Sequence, residues 1–340
     1  LALVYWILLL RCLPVRRIRR ASPPDAVGAG EIGSVTVMAG ADLTMMVVSW
    51  AQMGYVLIQL DNNGRVLLHK RMEMGNERSN YERNIFRLLF HRRSIVDGTS
   101  LHYAKLCRKV AANKPNIQGI FQRNSGNPMI FRIIALAAAP FGGLSLALAM
   151  MIDGFLGGLV TVVMVLFGLV SGWFIQQGGK CLHLRDKWPL YLAIGLCAVW
   201  LVLGFLAGEP VIAALVAGGE LLAGIMAAYG GRRTELGKQT LQQIYGLRHD
   251  LKHPDRNELL RIMKVNPSYY YTMAPYALAF GVDKAFAKGF GGMRLSGCPY
   301  LTTGMDGHLT ASDWSKLLRR AVNILDERQK RLPLEQLLKK

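Results

Sequence analysis

Glu220 stands in Gly218-Gly219-Glu220-Leu221, inside the apolar run Val211–Tyr229. An ionised carboxylate at the centre of a bilayer costs at least a few kcal/mol, so such a group faces protein or water, or is protonated. Two chemistries follow from that placement: a proton or cation pathway, or a structural hydrogen bond in a polar notch. A relay needs partners, and the apolar runs Ile133–Ile152, Phe155–Ile175, Leu190–Ala207 and Val211–Tyr229 hold no other Asp, Glu, Lys or Arg. His249 and His253 lie four apart and would share a helical face as metal ligands, but the acid of an HExxH site is missing and Pro254 is adjacent. They are read as two exposed histidines. No GxGxxG after a strand, no GxxxxGK[ST] and no GxSxG occurs, which disfavours nucleotide-dependent and serine-hydrolase enzymes of the common kinds. The sequence contains no cofactor motif, and no catalytic residue is assigned.

Basic side chains form the other candidate set. Arg16, Arg17, Arg19 and Arg20 follow the first apolar run, Arg83 and Arg87 are four apart on one predicted helix, and Arg232 and Arg233 follow the last apolar run. Such residues suit lipid phosphates or an acidic protein partner. DNA phosphates are a third counter-charge, disfavoured because the chain's own membrane competes for the same cations.

These residues must be positioned by a chain of 340 residues with a net charge of +19, 51% hydrophobic residues and a mean hydropathy of +0.23, which reads as a membrane protein. Each of the four apolar runs has roughly the 17–25 residues a helix needs to cross about 30 Å of hydrocarbon. The turns Asp153-Gly154 and Gly208-Glu209-Pro210 carry only acid, whereas Lys180, Arg185 and Lys187 lie between the second and third runs. Positive residues are retained on the cytoplasmic side, so both long polar regions are predicted to be cytoplasmic. Residues 11–130 hold 18 basic and 8 acidic side chains, and residues 229–340 hold 19 and 10, so the two regions are basic to nearly the same degree. The five cysteines (Cys12, Cys107, Cys181, Cys197 and Cys298) are scattered and form no CxxC pair, as expected of reduced thiols. Gly168 and Gly172, Gly204 and Gly208, and Ala214 and Gly218 form small-xxx-small pairs, read as packing surfaces within the bundle or, alternatively, as a homodimer contact.

The predicted organisation has four parts. Residues 1–12 form the end of a spanning helix that starts upstream, and residues 13–130 a basic linker and small α+β module. Residues 131–229 form four spans at about 133–152, 155–175, 190–207 and 211–229, and residues 230–340 a helical domain. In the module, Asp42 caps a helix with Leu43, Met46, Val47, Trp50, Ala51 and Met53 on one face. Tyr55–Leu60 and Arg65–Lys70 read as a hairpin about Asp61-Asn62-Asn63-Gly64, and Glu77–Phe90 as a helix with Tyr81, Ile85, Leu88 and Leu89 inward. A further helix begins near Ser100. This order suggests a winged-helix-like module. Later, Thr234–Leu251 reads as a helix, Tyr269–Phe280 as a buried or interfacial helix, and Gly289–His308 as a loop. Thr310 with Asp313 makes a capping box ahead of an amphipathic basic helix. The fold class is therefore mainly α: a polytopic helical membrane protein with a small winged-helix-like α+β cytoplasmic module and a helical cytoplasmic C-terminal domain.

Several segments bear a resemblance. Pro23-Pro24 with Glu31 and Gly33, Asp42-Leu43 leading to Gly54-Tyr55, Tyr81-Glu82 before Leu88-Leu89-Phe90, Gly246-Leu247-Arg248, and Asn266-Pro267 ahead of Pro275-Tyr276-Ala277-Leu278-Ala279-Phe280-Gly281-Val282 carry it. On these the chain resembles the C-terminal half of the YciQ-like bacterial membrane proteins, domain of unknown function 2207. Ala274 stands where that group usually has Leu, and Phe286 where it has Trp. The resemblance implies an exported β-rich domain upstream, one spanning helix, a cytoplasmic winged-helix-like module, a set of membrane hairpins and a cytoplasmic tail, all in the bacterial inner membrane. It brings no activity and no catalytic residues. The expectation is a non-enzymatic scaffold or signal-transfer protein with a protein partner on the cytoplasmic side. An ion or small-solute transporter using Glu220 and a membrane-tethered DNA-binding protein are the alternatives.

Overall fold

Asp42 ends an extended stretch and accepts a hydrogen bond from the Met45 amide at 3.1 Å, which starts a helix whose residues Leu43–Ala51 are all buried. The computed structural model describes residues 18, 22–24, 27–37, 40–61, 63–112, 129–181, 185, 187–229, 234–303 and 309–337. The expectations for residues 1–12 and for Arg16, Arg17, Arg19, Arg20, Arg232 and Arg233 fall outside them. The described residues form a mainly helical structure, about 70% helix in thirteen α-helices, beside a small four-stranded mixed sheet. Two compact units divide it: one is built from residues 16–117 and 238–340, the other includes residues 118–237.

In the first unit, a short 3-10 turn Ala29–Glu31 leads into α1 (Ile32–Val37), followed by α2 (Leu43–Gln52). The strands β1 (Val56–Leu60) and β2 (Val66–Lys70) form the expected antiparallel hairpin, with Ile58 opposite Leu68. Next come α3 (Asn80–Phe90), β3 (Ile95–Asp97) and α4 (Leu101–Ala112). After the second unit the chain returns through α9 (Glu235–Lys252), α10 (Arg256–Val265), α11 (Tyr269–Ala279), α12 (Asp283–Gly289), β4 (Leu301–Thr303) and α13 (Ala311–Leu337).

The sheet order is β3-β2-β1-β4, and β4 runs parallel to β1 with Ile58 opposite Leu301 and Leu60 opposite Thr303. One lobe is thus made from both polar regions, where the sequence suggests two separate domains and a loop over Gly289–His308. The α11 helix is buried in this lobe despite Pro275, with Tyr270 stacked on Phe286 at 5.7 Å between ring centres and Tyr271 edge-on to Trp314 at 5.9 Å. Aromatic pairs at such distances and angles add to simple burial. The capping box forms as expected: Thr310 Oγ1 donates to Asp313 Oδ2 at 2.6 Å, and the Asp313 amide donates back to Thr310 Oγ1 at 3.3 Å.

The second unit holds α5 (Met129–Ala149), α6 (Gly154–Lys180), α7 (Trp188–Leu206) and α8 (Pro210–Tyr229). Three of these contain spans long and apolar enough to cross a membrane: Arg132–Ala149, Gly154–Gly179 and Trp188–Leu206. The shorter apolar stretch Pro210–Met226 falls below that length. The bundle is built inside out relative to a soluble one. Ala147, Ala193, Ala213 and Ala217 are buried with Leu146, Ile175 and Trp200, while Phe155, Phe205 and Leu215 point outward at 87%, 71% and 70% exposure. Small residues let helix backbones approach, and bulky apolar ones face hydrocarbon at no penalty.

Candidate functional site: a polar chain across the helix bundle

Glu220 is the eleventh residue of α8 and only 2% exposed. Its partner comes from α6: Gln176 Nε2 donates to Glu220 Oε2 at 2.6 Å and to the Arg132 carbonyl oxygen at 3.0 Å. Arg132 on α5 completes the chain, its Nε donating to Gln176 Oε1 at 3.1 Å while its guanidinium lies 5.7 Å from the centre of the Trp173 ring. Three helices are joined by one amide. The donors and acceptors match, because a carboxylate accepts, a guanidinium donates, and only an amide presents both to opposite sides.

Gly172 makes room for the carboxyl. A Cβ there would meet Glu220 Cδ and the Ala139 Cβ, each at 3.2 Å. Gly168 likewise packs on the backbone at Ala139 and Pro140, so the pair Gly168 and Gly172 serves packing within the bundle. Gly218 differs: nothing lies within 4 Å of the position its Cβ would take. A second polar link ties α7 to α6, with Trp200 Nε1 donating to Ser171 Oγ at 2.9 Å.

The sequence points to Glu220 but misses Gln176 and Arg132. Arg132 lies one residue before the run beginning at Ile133, and Gln176 one residue after the run ending at Ile175. Both lie within the helices, which extend past the uninterrupted apolar runs. Polar residues abutting an apolar run, on helices of matching register, were the available signal.

The lobe brings other candidates together. Glu31, Glu82 and Tyr276, from three separate segments of the resemblance, are neighbours around Arg78. Burial, then the charge of Glu82, pushes Glu31 up to about 7, against the lowering pull of the Gly28 amide and Arg78. Glu82 accepts from Trp50 Nε1 at 3.3 Å, and burial raises Tyr276 to about 12. A second buried set links α2, α4 and α13: Thr44 Oγ1 donates to Asp326 Oδ1 at 2.7 Å, and Tyr103 Oη donates to Thr44 Oγ1 at 3.2 Å. Burial, with the charges of Asp326 and Asp42 behind it, pushes the Cys107 thiol far up, so it is an inert core residue.

His249 and His253 sit with ring centres 5.1 Å apart, and His249 Nδ1 is 3.5 Å from Asp250 Oδ1. Among the described residues no three His, Cys, Asp or Glu side chains could together hold a metal. Of the two histidines, His253 borders a cleft of about 160 Å³, lined also by Asp250, Glu258 and Tyr269. Arg83 and Arg87 diverge in use: the Arg83 guanidinium is hydrogen-bonded to the side chains of Asn76 and Asn80, while Arg87 is exposed. Against known proteins the outcome is uniform: no family model, no curated protein and no solved structure matches this chain.

Proposed function

We propose that the chain is a membrane-anchored, non-enzymatic scaffold or signal-transfer protein whose single soluble lobe lies in the cytoplasm and recognises a protein partner. One observation supports the membrane topology in this reading. Strand β4 pairs with β1 across the apolar block of the sequence, which supports a chain that leaves and re-enters the lobe on one side of the bilayer. An even number of crossings is then required. Three helices qualify by length and composition, and the shorter apolar helix Pro210–Tyr229 is read as the fourth crossing.

The distribution of charge supports the side. Lys180, Arg185 and Lys187 share the middle turn, while Asp153 and Glu209 sit in the other two. In the bundle, Glu220 is held by an amide, which does not exchange protons near neutral pH, so the chain through Gln176 suits a fixed helix tie better than a proton route. The winged-helix-like character expected within residues 13–130 and the resemblance to the YciQ-like group belong to the same proposal.

Affinity capture of the full chain, solubilised in mild detergent at low salt, tests the partner. Enrichment of a specific protein that is lost on deleting α13 is the expected result. Capture of lipids alone, with no protein above background, would count against the scaffold.

A further inference from the structure

The end of the lobe formed by α3, β3 and the start of α4 carries cations and bulky apolar groups together. Leu88, Ile95 and Leu101 are 44%, 48% and 40% exposed. Arg87, Arg92 and Arg93 are exposed between them. From Arg83 to Lys109 the sequence has one acid, Asp97, and its carboxylate is taken up locally by the Thr99 amide and hydroxyl at 2.7 and 2.6 Å. The patch is held as one piece, because His102 Nε2 donates to the Leu88 carbonyl at 3.1 Å and β3 is the edge strand of the sheet.

The backbone here is strained in a telling way. His91 and Arg92 both take positive φ, 37° and 65°, although neither is glycine. Two successive left-handed residues are costly for L side chains and persist where the surroundings fix them. They stop α3 at Phe90, with the His91 amide on the Arg87 carbonyl at 2.8 Å, and bring Arg92 and Arg93 to the exposed rim.

We propose that this end of the lobe docks on an anionic bilayer surface, with Arg87, Arg92 and Arg93 on lipid phosphates and Leu88, Ile95 and Leu101 inserted at the boundary between headgroups and acyl chains. The inference rests on the membrane reading above, since a chain with its own spans keeps a bilayer within reach. Charge and shape select the occupant. Nucleic acid would use the cations and leave three large apolar groups in water. A lipid surface uses both, as interfacial proteins do.

The test uses the full chain reconstituted in bilayers of phosphatidylcholine, with or without phosphatidylglycerol, and reads backbone hydrogen exchange over residues 87–102. Exchange is expected to slow in the anionic bilayer by about fivefold per cation engaged, and the slowing to vanish at high salt. In the variant Arg87→Glu/Arg92→Glu/Arg93→Glu it should vanish as well, with exchange in the β1–β2 hairpin unchanged as the check on folding. Equal rates in the two bilayers, protection that survives charge reversal or salt, or protection that needs an added cell extract would each overturn the proposal. Flotation of the chain with both bilayers scores membrane insertion separately, so failure of docking leaves the membrane reading standing.

Discussion

One carboxyl of the lobe makes its stability depend on pH. Glu31 has an ordinary value of 4.5 when unfolded and about 7 in the lobe, because it is buried and faces Glu82, with Arg78 only partly compensating. The folded state therefore holds a proton that the unfolded state releases. Stability from this group is complete below pH 4.5, falls between 4.5 and 7, and above that Glu31 costs up to roughly 3 kcal/mol. Glu31→Gln keeps the shape without the charge. It should raise the melting temperature at pH 8 clearly more than at pH 5, measured on the full chain in detergent. An equal increment at both pH values would show that Glu31 does not titrate in this range. The sequence offers Glu31 only through the resemblance; its neighbours Glu82 and Tyr276 lie tens to hundreds of residues away, and nothing local announces them.

At the scale of elements, the bundle depends on where a helix has no side chain. Gly172→Leu drives a branched side chain into Ala139 and Glu220, and overpacking of this kind costs about 1–3 kcal/mol. Gly218→Leu enters open space on α8. Thermal unfolding in detergent should therefore show a loss for the first and little change for the second; equal losses would refute the assigned packing.

Local rules also explain which elements could be read in advance. The Asp42 cap, the hairpin and the Thr310 capping box each rest on contacts within a few residues, and all three appear. The inward face of α3 is different. Leu88 is expected inside, yet Ile85, Phe86, Leu89 and Phe90 form the buried stripe and Leu88 turns out. A helix with five apolar residues in six admits two stripes, and tertiary packing selects one. Strand β4 is three residues long and flanked by glycine-rich chain, so nothing in its own pattern marks it; its pairing with β1 is what makes it a strand.

The molecule as a whole is organised by that pairing. The polar regions on either side of the apolar block read as two domains because each has its own helices and an equal basic surplus. Long-range contacts merge them: β4 on β1, Asp326 on Thr44, and Tyr276 on the Val27 carbonyl at 3.4 Å. Periodicity reports burial and not partners, so a lobe closed across the apolar block leaves no trace in either half alone. In the same lobe the buried Asp283 pairs with Arg319 and accepts from Ser315 Oγ at 2.9 Å, which fixes α13 to α12.

Under the proposed topology, four crossings return the chain to the side it left. In a background without the five native cysteines, single cysteines are placed at Asp153, Glu209 and Arg328, and intact cells are treated with a membrane-impermeant thiol reagent. Labelling is expected at positions 153 and 209, and at 328 only after permeabilisation. Labelling at 328 in intact cells together with protection at 209 would contradict it.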